Sequence, residues 1–72
     1  MFRLKSKSGM YFAIAGRRAD TSAVYSLHTL PDGVMEFGTA EEAEQYRDGP
    51  LRSAIGKQFA ADEVMQATVE GV

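Results

Sequence analysis

Cysteine and tryptophan are both absent from this 72-residue chain, and histidine occurs once, as His28. Without cysteine there are no disulfide staples and no thiolate metal ligands, a usage that suits a reducing cytoplasm. One imidazole alone leaves a transition-metal site without a ligand set, so neither metal nor cofactor is expected. Long apolar runs are missing too. The longest, Met10 to Ala15, is strand length, far short of the roughly 20 residues that a membrane-spanning helix needs. Arg3 and Lys5 make the start of the chain basic, but no uninterrupted apolar core of the signal-peptide kind follows them. The expectation is a soluble cytoplasmic protein with no membrane partner.

What is present fits a single domain over residues 1–72, with the last few residues frayed. A chain this short buries only about 60% of the surface it exposes when unfolded. Most of its seven aromatic side chains are therefore needed for one modest core.

The local patterns predict an α+β fold: a small antiparallel sheet of about four to five strands with one short helix. Phe2-Arg3-Leu4-Lys5 alternates apolar and basic, as a half-buried strand does. Ser6 to Gly9 has turn composition, and Met10 to Ala15 returns as a strand buried on both faces, closing a first hairpin. Gly16 to Ser22, with Arg17, Arg18 and Thr21, reads as an exposed loop. A strand over 23–30 follows, with Tyr25 and Leu27 on one face and Ser26 and His28 on the other. Pro31-Asp32-Gly33 is a turn signal, so Val34 to Phe37 is expected to return antiparallel as a second hairpin. Gly38 then breaks the strand, Thr39 caps a helix from Ala40 to about Arg47, and Glu42 completes the capping box. Asp48-Gly49-Pro50 stops it. Residues 51–59 fit a second helical turn, weakened by Gly56, and Val64 to Val69 alternates as a closing strand.

Little catalytic chemistry is visible. Ser26 and His28 share a strand face, but strand rise alone separates them by roughly 6.5 Å, too far for a nucleophile–base pair. Gly9 and Gly16 bracket a strand and not a strand-to-helix junction, so no phosphate loop or dinucleotide fingerprint is present. The chain is also too small to enclose a substrate cavity of several hundred cubic ångströms beside its core. A non-enzymatic protein is expected.

Charge is unevenly laid out. Residues 1–18 carry Arg3, Lys5, Lys7, Arg17 and Arg18 and no acid, a charge of +5; residues 19–50, including Glu41, Glu42 and Glu44, carry −6; residues 51–72 carry −1. Cations at one end and anions at the other suit docking on a larger protein, because charged poles steer encounter. On adjoining strands the same charges would instead neutralise one another. Candidate partner-binding residues are Arg3, Lys5, Lys7, Arg17, Arg18, Glu41, Glu42 and Glu44. Phe2, Tyr11, Tyr25 and Phe59 are candidate apolar anchors, and the first strand offers an edge for a partner strand. Arg3, Lys5 and Lys7 on one strand face, with Tyr11 following, also permit weak, salt-sensitive nucleic-acid contacts, although the chain as a whole is acidic.

The two hairpins, the Phe37-Gly38-Thr39-Ala40-Glu41-Glu42-Ala43 step and the Val64–Val69 strand resemble, in scale and plan, the compact α+β proteins that bacteriophages and mobile elements turn on host machinery. Small phage regulators of host RNA polymerase and some anti-CRISPR proteins are similar in this way. That resemblance implies a stoichiometric regulator in the cytoplasm of a bacterial host. It would bind RNA polymerase and alter transcription initiation or termination, its basic residues against an acidic protein surface or nearby nucleic acid and its acidic helix against a basic one. An inhibitor of a host defence complex is the alternative it carries, and a weak nucleic-acid-binding accessory domain is the alternative from another class.

Overall fold

A computed structural model describes residues 1–20 and 22–71; Thr21 and Val72, assigned above to a loop and a frayed end, lie outside the described residues. The first three expected strands are present as β1 (Phe2–Lys5), β2 (Tyr11–Arg17) and β3 (Ala23–His28), with Gly16 and Arg17, read above as loop, inside β2. Gly9, at φ +89°, turns β1 into β2, and Ser6 Oγ accepts from Met10 N across that turn. Helix α1 (Ala40–Asp48) starts where its cap predicts, with Thr39 Oγ1 accepting from Glu42 N at 3.1 Å. A 3₁₀ turn at Arg52–Ala54, the short helix α2 (Ala61–Met65) and strand β4 (Thr68–Gly71) complete the chain.

The four strands form one antiparallel sheet in the order β3-β2-β1-β4. The fold is thus α+β, at the low end of the expected strand number. Its two hairpins are β1–β2 and β2–β3, the second formed by the Arg17–Ala23 connection and not by the Pro31-Asp32-Gly33 turn. Residues 34–37 do not return along β3. Met35 N donates to Phe12 O on β2, and Phe37 exchanges two 2.8 Å backbone bonds with Phe2 on β1. β1 and β2 are in register at Lys5 and Tyr11. Beyond that pair the two strands splay, and this segment wedges between them. Wedging brings Met35 and Phe37 onto the core, a gain in apolar burial that a hairpin beside β3 would forgo.

Four further expectations change. β1 lies inside the sheet, so β3 and β4 are its edges. Val64 and Met65 are helical, and the closing strand starts only at Thr68. Asp62 and Glu63 occupy the first turn of α2, where the helix dipole favours them, and Val64 plugs into the core. Gly71 pairs with Phe2 and does not fray. Burial on β2 also stops early: Tyr11, Phe12 and Ala13 are buried and the residues after them are exposed.

The core lies on one face of the sheet. Leu4 and Phe12 meet Ala43 of α1, Val64 of α2, Leu51 and Ala67. Arg47 ties α1 to the sheet by donating to Ala67 O at 3.0 Å and to its neighbour Asp48, whose carboxyl that bond holds below the usual range. A bulge between Ile14 and Gly16 shifts the register at the far end of β2, so Arg17 lands opposite Ala23. That shift sets up the site.

Candidate functional site

Beyond the bulge, the basic end of the β2–β3 hairpin faces the 46–58 segment across an open groove of about 430 Å³. The groove is a surface feature, so a volume judged too large to enclose is reached without enclosure. Arg17, Arg18 and Lys57 all line it. Asp20 is the one acid in its lining among the described residues. That carboxylate is engaged within its own loop: Ser22 donates to Asp20 from its hydroxyl at 2.6 Å and its backbone N at 3.1 Å. Those bonds, helped by Arg18, hold its pKa low and keep it ionised. Even so, cations outnumber acids along the groove.

The floor is aromatic. Tyr25 from β3 and Tyr46 from α1 meet edge to face with centroids 6.4 Å apart, and their hydroxyls share a 2.9 Å hydrogen bond. Burial first, then this bond, raises the pKa of Tyr25, while nearby Arg17 opposes the rise. Tyr25 therefore presents a neutral hydroxyl to the groove. Beside it, Gln58 reaches the outer edge of β3: its Oε1 accepts from Tyr25 N at 2.7 Å and its Nε2 donates to Ala23 O at 2.9 Å. A second, shallower depression of about 330 Å³ shares Tyr46 and Pro50 with the first and includes Glu42. Glu41, Glu42 and Glu44 are all exposed on α1.

The remaining sequence-predicted cations sit elsewhere. Arg3 and Lys5 lie on the sheet face opposite Leu4, where both stand over the Tyr11 ring, 4.9 and 5.6 Å from its centroid. Both pair with Glu70 on β4, Arg3 at 2.7 Å and Lys5 at 3.6 Å. Lys7, in the turn after β1, reaches Asp62 at 3.4 Å. The five-cation stretch is thus split: three members face acids from the last third of the chain, and Arg17 and Arg18 line the groove. Tyr11 is itself buried, so this face gives a nucleic-acid base no open ring to stack on.

Glu70 is held below the usual carboxylate range, by its bond from Arg3 first and then by Tyr11. A depressed folded pKa contributes stability that is present above the unfolded pKa and lost as pH falls through the folded one. The thermal midpoint should therefore drop on acidification through the carboxylate range. Glu70→Gln, lacking that titration, should show a shallower drop in calorimetric scans across a pH series.

Ser26 and His28 are closer than strand rise suggests. Side chains in a strand lean along its axis, and here Ser26 Oγ lies 3.1 Å from His28 Nε2. Nδ1 lies 2.9 Å from Asp32 O, which can only accept, so Nδ1 carries a proton and donates to it. Neither residue lines either groove. Tyr25, a candidate anchor in the sequence, does line the groove, whereas sequence reasoning missed Lys57, Gln58 and Tyr46, because nothing in the local pattern joins residues 23–25 to 46–58. Comparison of the chain with protein-family models, with curated proteins and with solved structures finds no match.

Proposed function

We propose that this protein acts by binding and not by catalysis, docking through the β3-edge groove onto an acidic surface of a larger protein. One observation carries the reading: Arg17, Arg18 and Lys57 converge on a single groove whose only described acid is already engaged by Ser22. Tyr25 and Tyr46 supply an amphipathic floor of the kind that anchors interfaces. Glu41, Glu42 and Glu44, exposed beyond the shared Tyr46–Pro50 rim, would meet a basic surface of the same partner. The Ser26–His28 pair lines neither of the two grooves.

The resemblance in plan to phage regulators makes host RNA polymerase the first partner to test, with altered initiation or termination as the outcome. Tagged protein should retain a polymerase subunit from a bacterial lysate. Retention should weaken as salt rises and on replacing Arg17 and Arg18 with glutamine, while the thermal midpoint of that variant moves little. Recovery of no polymerase subunit removes that target. Retention indifferent to both salt and the two arginines removes the groove as the docking site, and a large loss of thermal stability makes the arginine pair structural.

A further inference from the structure

Gln58 does for β3 what a neighbouring strand would do. Its carboxamide donates to Ala23 O and accepts from Tyr25 N, two backbone groups of residues flanking Val24. In an antiparallel hydrogen-bonded pair both bonds go to one residue; a single donor–acceptor unit bonding the residues on either side of its neighbour is the parallel pattern. The side chain thus stands at the place of one residue of a parallel strand added to the sheet edge. Edge strands with open backbone groups invite such pairing, and covering them is a recurrent device. Here the cover is one side chain from an exposed turn, Gly56 at φ +83° followed by Lys57, and it is displaceable.

The covered edge is also a wall of the basic groove: Ala23, Tyr25 and Gln58 line it together with Arg17, Arg18 and Lys57. An extended segment laid along β3 would run through a groove lined by three cations, so acidic side chains complement it. We infer that the partner contributes an extended acidic segment that displaces the Gln58 carboxamide and adds to the sheet as a strand parallel to β3. This rests on the groove being the docking site, and it specifies how the groove is filled: main-chain bonds set the register and glutamate or aspartate side chains supply the charge match.

A short capped peptide alternating glutamate and threonine serves as probe, with titration followed by amide chemical shifts. It should bind the native protein at low salt and shift the amides of β3. Methylating one alternate set of peptide nitrogens should abolish binding, because those nitrogens face β3, while methylating the other set should leave it intact. Gln58→Ala should bind the unmodified peptide at least threefold more tightly, since no side chain competes for Ala23 and Tyr25. A spin label on the N-terminus of the peptide should broaden amides near Ala23 and not those near His28.

Equal binding of both methylated peptides would mean that charge alone holds the segment, overturning strand addition while the acidic-partner reading stands. Unchanged or weaker binding to Gln58→Ala would make Gln58 part of the recognition surface and not a cover. Self-association of that variant through β3 in place of peptide binding would assign the edge to a second copy of the chain. No binding of any of these peptides at low salt would remove the docking reading itself.

Discussion

Phe12→Ala should abolish cooperative folding or lower the thermal midpoint by roughly 15–30 °C. Phe12 is fully buried, meets Phe59 edge to face at 5.3 Å, and belongs to the cluster that joins the sheet to α1 and α2. Truncating a buried phenylalanine costs about 3–5 kcal/mol in lost transfer energy and residual cavity. Stabilities of about 0.05–0.15 kcal/mol per residue put this chain at roughly 4–11 kcal/mol in all, and each kcal/mol moves the midpoint of so small a domain by about 4–8 °C. One side chain therefore carries roughly a quarter or more of the total. Leu4, Leu51 and Val64 are the other large, fully buried residues, too few to take up the loss. Phe59 sits on the other side of the same contact but is only half-buried, so Phe59→Ala should cost distinctly less. Calorimetry or far-ultraviolet circular dichroism on both variants checks the ranking. A Phe12→Ala midpoint within a few degrees of the native one would refute this core.

The elements legible in the sequence are those whose signal is local. Helix α1 is bounded by Gly38, Thr39 and Gly49, and its inward stripe of Ala43 and Tyr46 follows from helical spacing. β1 is visible as alternation, β2 as a short apolar run and β3 by its two differing faces. The errors fall where a distant partner decides between two locally acceptable states. Val34 to Phe37 has the composition of a returning strand, yet Phe2 and Phe12, more than twenty residues earlier, offer its backbone a better seat between β1 and β2. Val64 to Val69 alternates well enough to pass for a strand, but contact of Val64 with the core holds its first part in a helix. The position of β4 beside β1 pairs the two ends of the chain, and no window of neighbouring residues reports that.

The site divides along the same line. Arg17 and Arg18 stand out in the sequence as adjacent cations after an apolar strand, and both line the groove. Lys57 and Gln58 are unremarkable where they stand and gain their roles only because the chain folds back to place them against Ala23 and Tyr25. Charge counted by segment also mislocates the acids that matter to Arg3 and Lys5: Glu70 belongs to the nearly neutral last segment and not to the acidic middle. Neutralisation across adjoining strands thus describes the open sheet face, while an excess of cations describes the groove.

That division allows binding and folding to be separated by mutation. Arg18→Glu together with Lys57→Glu should weaken capture of an acidic partner about thirtyfold and leave the thermal midpoint within a few degrees of native. Both side chains are exposed on the groove walls and neither packs into the core cluster, so folding draws little on them. Exposed ion pairs are worth about 0.2–1 kcal/mol each, and reversal both removes an attraction and adds a repulsion. Two reversals near the middle of that range account for the thirtyfold factor, by the rule of about 1.4 kcal/mol per tenfold change. Because the charges are exposed, the difference between native and variant should shrink as salt shortens the screening length from about 10 Å at 0.1 M towards about 3 Å at 1 M. The mirror test reverses the outer-face cations, Arg3→Glu with Lys5→Glu. These side chains stand over Tyr11 and pair with Glu70, so their reversal should lower the thermal midpoint and leave partner capture by the folded fraction unchanged. Equal loss of capture from both pairs would mean that the cations act as one diffuse field, and the groove would lose its claim to be the site.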